Sequence, residues 1–155
     1  MSTTYQEALA KLERYCAYQE RCHLEVSQKL QALGMIPQVQ EAIIAQLIQD
    51  NFLNETRFAQ AFARGKFRIK HWGKLRITRE LKARKISDWN IKKALEEIEP
   101  EEYLTTLERL SDQFWNKHSG LEAWKRRQKV VQALQYRGWE NDLIFESLSR
   151  LKSDN

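Results

Sequence analysis

Five glycines and two prolines are all that 155 residues hold. An all-β chain needs many more turn-forming residues than that, and a Gly- or Pro-rich disordered protein is excluded for the same reason. Cysteine is scarcer still. Cys16 and Cys22 fit neither a CxxC pair nor a zinc-ribbon spacing, and two thiols cannot frame a disulfide scaffold. A reduced, cytoplasmic setting is therefore expected. The three histidines, His23, His71 and His118, are remote from one another, so no metal site is expected. No apolar run has the length of a membrane span, and the opening Met1-Ser2-Thr3-Thr4-Tyr5-Gln6-Glu7 lacks the basic start and apolar stretch of a signal peptide. A GxxxxGK[ST] phosphate loop, a GxGxxG turn, an HExxH pair and a GxSxG elbow are all missing. A non-enzymatic, monomeric protein that needs no cofactor is the expectation.

What the chain does have is charge in one place. The net charge is +5, yet the stretch from Arg64 to Lys85 holds ten Lys or Arg against the single acid Glu80. That segment carries +9, so the rest of the protein carries −4. One acid cannot form the carboxylate cluster that a magnesium-dependent nuclease uses. A concentrated basic surface suits phosphate or an acidic protein face instead.

The hydrophobic pattern is helical throughout, with no credible strand. Tyr5, Ala8, Leu9 and Leu12 predict a helix over 5–17; Val26, Leu30 and Leu33 predict another over 22–33, closed by Gly34. Pro37 opens a third, striped by Val39, Ile43 and Leu47. Asn54 is expected to cap a helix over 54–71 whose apolar side is Phe58, Phe62 and Ile69, with Phe67 pointing away from it. Gly73 precedes a helix with Ile77 and Leu81 inward, and Ser87 caps the next, on Ile91, Ala94, Leu95 and Ile98. After Pro100 a longer helix runs through Leu104, Leu107, Leu110 and Phe114. Val130 and Leu134 mark the eighth helix, and Ile144, Leu148 and Leu151 mark the ninth.

These helices repeat. Val26, Ile77 and Val130 are each followed four residues on by leucine (Leu30, Leu81, Leu134), and five beyond that by Met35, Ile86 and Trp139. Gly34 and Gly138 stand just before the first and last of these exits, while Lys85 occupies the middle one. The expected architecture is all-α: three tandem three-helix, helix-turn-helix-like units over 1–51, 52–99 and 100–155, stacked as an elongated, curved array.

The middle unit carries Asn54-Glu55-Thr56-Arg57-Phe58-Ala59, then Arg64, then Gly73-Lys74-Leu75-Arg76-Ile77 and Glu80-Leu81. This string resembles the RecX family of bacterial regulatory proteins, whose pattern runs D-D-x-R-F-A, a following Arg, then G-x-x-R-I-x-x-E-L. The three-unit layout is similar over nearly the whole chain. Asn54-Glu55 replaces the family's paired acids, which keeps the helix cap with one charge fewer. The resemblance implies a regulator of RecA filaments on single-stranded DNA, inhibiting RecA's recombinase and ATPase activity in DNA repair, recombination and the SOS response. A tandem helix-turn-helix protein that binds DNA directly, without RecA, is the alternative, and a helical scaffold for an acidic protein is a third reading.

Facing angles select the contact candidates. Arg57, Arg64 and Arg68 form a stripe flanking the apolar side of their helix, while Arg76, Arg79 and Lys82 point outward from the next, which begins at Lys74. Arginine's fork favours bidentate contact with carboxylate or phosphate. The acidic run Glu96, Glu97, Glu99, Glu101 and Glu102 is the intramolecular competitor for these cations. A second basic run, Lys125-Arg126-Arg127, opens the middle helix of the third unit, and two linked weak contacts would raise avidity on a repeating partner. Of the five tryptophans, Trp89 and Trp139 are expected in the core. Trp72 sits between the two basic helices, where packing is expected and stacking on a base is the alternative.

Overall fold

Helix boundaries follow the capping residues. A computed structural model describes residues 3–153, and among them lie nine α-helices and no strand. They are α1 (Tyr5–Tyr18), α2 (His23–Ala32), α3 (Pro37–Gln49), α4 (Glu55–Lys70), α5 (Lys74–Ala83), α6 (Asp88–Leu95), α7 (Pro100–Lys117), α8 (Ala123–Tyr136) and α9 (Asn141–Ser153). Asn54 caps α4 by accepting the Arg57 N–H at 3.0 Å, and Ser87 caps α6 through the Asn90 N–H at 3.2 Å. Glu99 caps α7 with both carboxylate oxygens, on the N–H groups of Glu101 and Glu102.

The repeat is visible in the main chain. Gly34, Lys85 and Gly138 all adopt the left-handed conformation, with φ of 81°, 61° and 87°. At each, the following residue's N–H donates back to the leucine five positions earlier: Met35 to Leu30, Ile86 to Leu81 and Trp139 to Leu134, all at 3.1 Å. The same C-terminal motif therefore closes α2, α5 and α8. Lys85 holds this geometry without the glycine that makes it cheap.

The helices condense into two compact units. The first takes the chain up to Phe62 together with Leu81–Ala94; the second takes Ala63–Glu80 and the chain from Leu95 onward. In the first, Ala8, Leu12, Cys16, Val26, Leu30, Ile43, Leu47 and Leu53 form one buried cluster. The second buries Phe67, Ile77, Tyr103, Leu107, Leu110, Val130, Leu134, Trp139, Ile144 and Leu148. Within it, Ser111 on α7 and Ser147 on α9 satisfy each other at 2.9 Å in the buried interior.

Four expectations from the sequence are corrected. Phe67, expected outside the apolar side of α4, is 2% exposed and packs 5.8 Å from Tyr103 and 6.5 Å from Trp139, ring centre to ring centre. Ile69, expected inside, is 76% exposed. The cause is a change of buried face along α4: Phe58 is buried in the first unit, and Phe67, nine residues and about 180° further round, is buried in the second. On α7 the buried register is Tyr103, Leu107 and Leu110, which leaves Leu104 exposed. Trp89, expected in the core, is 61% exposed and lies beneath the Lys93 ammonium.

Candidate partner-binding site

The predicted cations separate by unit. In the first, Arg57 is spent on the fold. Its Nε donates to Glu20 at 2.7 Å, Nη1 to the Asn51 side chain at 3.1 Å, and Nη2 to the carbonyls of Asn51 and Phe52 at 3.1 and 3.3 Å. Asn51 sits at φ 63°, so the guanidinium clasps a left-handed turn that follows α3. Lys82, near the end of α5, is exposed and makes no ion pair with a described residue.

The second unit holds the rest. Arg64 donates to Glu97 at 2.5 Å, and Arg68 Nε lies 3.9 Å from a Glu102 oxygen. The acidic run therefore does engage this pair of arginines. Both ion pairs are partly exposed, and such pairs contribute only about 0–1 kcal/mol, so a competing anion displaces them readily. Lys74 donates its main-chain N–H to the Tyr103 hydroxyl at 2.8 Å and rests its ammonium 4.7 Å from that ring's centre. Arg79 is exposed and makes no ion pair with a described residue. The Arg76 guanidinium approaches two rings, with Cζ 4.2 Å from the Trp72 centre and 4.8 Å from the Tyr136 centre, and Nη1 donates to the Tyr136 carbonyl at 3.2 Å.

On α8 the three predicted contact residues do different things. Arg126 covers the Trp115 ring at 3.9 Å and donates to the Trp115 carbonyl at 2.8 Å, which binds the start of α8 to the end of α7. Arg127 approaches the Phe145 ring at 5.7 Å, while Lys125 is exposed beside Trp124. Of the predicted cations, Arg79 and Lys82 make no ion pair with a described residue, Lys125 lies beside the Trp124 ring, and Arg64 and Arg68 are held in exchangeable pairs.

Periodicity did not single out the seam that fixes this basic surface. Gly73 N–H donates to the Arg137 carbonyl at 2.8 Å, and Leu75 N–H to the Gly138 carbonyl at 3.0 Å. Two backbones meet here with no side chain between them. Trp139 donates its indole N–H to the His71 carbonyl at 3.0 Å and stacks on Tyr103 at 4.4 Å; the Tyr103 hydroxyl in turn donates to Glu140. Burial and the hydrogen bond to Glu140 push the Tyr103 phenol above its ordinary range. The spacing Tyr103–Leu107–Leu110 was the available signal for Tyr103; Tyr136 had none.

Among the described residues no group of His, Cys, Asp and Glu is arranged to hold a metal, and no helix is long and apolar enough to cross a membrane. A family model described as the second three-helix domain of RecX matches residues 54–95, and one described as the third three-helix domain of RecX matches residues 101–148. Together they cover more than half of the chain. The chain belongs to the RecX family. Regulatory protein RecX of Pseudomonas fluorescens is 30% identical over 135 residues, covering 86% of this chain and 84% of that one. The Pseudomonas syringae pv. tomato RecX is 28% identical over 141 residues, covering 90% and 88%. The Lactobacillus johnsonii RecX is 27% identical over 136 residues, 88% of this chain but 50% of the relative, so the chain spans about half the length of such longer relatives. Two crystal structures share the RecX fold. One, from Lactobacillus salivarius, has a TM-score of 0.83 at 22% identity over 96% of both chains. The other has 0.84 at 20% identity, over 94% of this chain and 73% of that one. Arg57 through Lys82 fall in the match to the second RecX domain, and Lys125, Arg126, Arg127 and Tyr136 fall in the match to the third.

Proposed function

We propose that this RecX-family protein regulates RecA by binding its filament on single-stranded DNA and restraining ATP turnover and strand exchange. The observation that carries the reading is the family membership joined to exposed cations on each unit, Lys82 on the first and Arg79 and Lys125 on the second, that make no ion pair with a described residue. Arg64 and Arg68 supplement them by exchanging Glu97 and Glu102 for a partner's carboxylate or phosphate. Contacts from α5 and α8 to successive subunits of a repeating filament would add through effective concentration. Bridging of this kind opposes the rearrangement between subunits that accompanies hydrolysis. The protein acts by binding, with no catalytic group or cofactor of its own, and works in the cytoplasm where the filament forms.

The test is RecA's DNA-dependent ATPase, with the protein added after filaments have formed on saturating single-stranded DNA. Inhibition is expected well below one protein per DNA site, because simple competition for DNA would need far more. The double substitution Arg79→Glu and Lys82→Glu is expected to weaken inhibition at least tenfold while leaving the circular dichroism spectrum unchanged. Full inhibition by that folded variant removes the site assignment, and no inhibition by the wild type removes the reading itself. A protein that binds naked and RecA-coated DNA equally well, with steep salt dependence, is instead a plain DNA-binding module.

A further inference from the structure

We propose that Trp72, Arg76 and Tyr136 form a stacking platform for the bases of single-stranded nucleic acid, with Tyr136 as its outer plate. This deepens the reading above, because it names the chemistry that the basic face of the second unit recognises besides phosphate.

The platform is a ladder of alternating cations and rings. The Lys66 ammonium lies 5.1 Å from the Trp72 ring centre, the Arg76 guanidinium approaches both Trp72 and Tyr136, and Tyr136 ends the series 70% exposed. An exposed tyrosine at a helix end ordinarily samples several rotamers. Here one face of the ring rests on a guanidinium that is itself tied to the Tyr136 carbonyl. The seam fixes the spacing of the ladder. Trp72 immediately precedes Gly73 and Tyr136 immediately precedes Arg137, and Gly73 and Arg137 are joined main chain to main chain. A plate whose position is set before binding loses little conformational entropy when a base lands on it.

The surroundings suit a strand. Lys70 and Arg79 are exposed on the same basic segment and can neutralise phosphates on either side of a stacked base. Aromatic plates set in a basic field are how proteins hold single strands without sequence preference, since every base has a π-face. A duplex keeps its bases stacked inside and offers such a plate nothing. An acidic peptide would use the cations and leave the exposed ring idle.

The experiment uses the full chain and fluorescence anisotropy, comparing a labelled oligothymidylate with an abasic oligonucleotide of equal length and equal phosphate count. The wild type is expected to prefer the base-bearing strand roughly tenfold, the effect of stacking one base. Tyr136→Ala is expected to reduce that ratio to about one with an unchanged salt slope, and Tyr136→Phe to retain it. Arg79→Glu is expected to weaken both strands together and to flatten the slope. Equal wild-type affinity for the two strands, or a Tyr136→Ala protein that keeps the preference, overturns the platform. The RecA ATPase assay run in parallel separates the two claims: inhibition without base preference leaves the regulator standing and the platform refuted, and base preference without inhibition does the reverse.

Discussion

Adding one methyl group to each of three glycines separates two physical effects. At Gly34 a Cβ meets nothing within 4 Å, but φ is +81°. Gly34→Ala therefore carries left-handed strain alone, about 1–2 kcal/mol. At Gly73 no positive φ is present, but a Cβ would lie 2.4 Å from the Gly138 carbonyl oxygen and 2.7 Å from the Trp139 Cα. Those are main-chain atoms and cannot swing aside. Gly73→Ala must open the seam and lose its two main-chain hydrogen bonds, about 2 kcal/mol at about 1 kcal/mol each. Gly138 has both problems: φ is +87° and a Cβ would stand 2.2 Å from the Arg76 Cβ and 2.3 Å from the Arg76 nitrogen. Gly138→Ala is expected to destabilise by about 3–4 kcal/mol, a large part of the stability of an ordinary domain.

Urea unfolding followed by far-ultraviolet circular dichroism gives the three values. Tryptophan emission adds a local signal, because Trp139 is buried beside the seam and its emission should shift to the red when the seam opens. The expected order of destabilisation is Gly138→Ala, then Gly73→Ala, then Gly34→Ala, with the red shift confined to the first two. A neutral Gly73→Ala, or equal effects at Gly34 and Gly138, would refute the claim that close backbone contact fixes the basic surface.

Lys85 occupies at φ 61° the place that glycine holds at the equivalent exits, so Lys85→Gly should raise stability by about 0.5–1 kcal/mol, read as a higher urea midpoint. Burial pushes the Cys22 thiol from its ordinary 9.0 up to about 11 and raises Tyr103 above 10.0. Both groups stay protonated in the folded protein after the unfolded chain has ionised, so the unfolded state binds fewer protons and stability falls with rising pH. The stabilisation from Cys22 is complete below about pH 9 and is lost as pH climbs through 11. The urea midpoint should drop between about pH 9 and about pH 11, and Cys22→Ala should flatten the drop; an unchanged slope in that variant would refute the assignment.

Periodicity made the helices readable, because each local stripe of Val, Ile and Leu selects one face wherever a helix packs against one core. Where that condition fails, the reading fails with it. α4 contributes Phe58 to one core and Phe67 to another, so a single stripe extrapolated along its length puts Phe67 outside and Ile69 inside. On α7, Tyr103 and Leu104 are neighbours of similar apolar weight, and the deciding fact is a long-range hydrogen bond between the Tyr103 hydroxyl and the Lys74 N–H. No sequence window contains both partners. The repeat was more legible than the packing, since Lys85 was placed in register with two glycines and the main chain adopts the same left-handed turn at all three.

The site was legible only as a sum of charge. Facing angles put Arg57, Arg64 and Arg68 on one stripe, but a stripe does not say which cations the protein has already committed. Arg57 holds a turn through four donated hydrogen bonds, so replacing it would unsettle the first unit before it affected any partner. Arg64 and Arg68 face the acids that composition named as competitors, which grades them below Arg79 and Lys82 as contacts even though their charge is the same. Arg76 shows the limit most sharply. Sequence marks it as one more outward cation; the structure brings it against Trp72 and Tyr136, where its charge rigidifies two rings. The aromatic character of the surface comes from a seam between residues sixty or more positions apart. A basic segment becomes a shaped surface only when such a seam fixes what lies beside each charge.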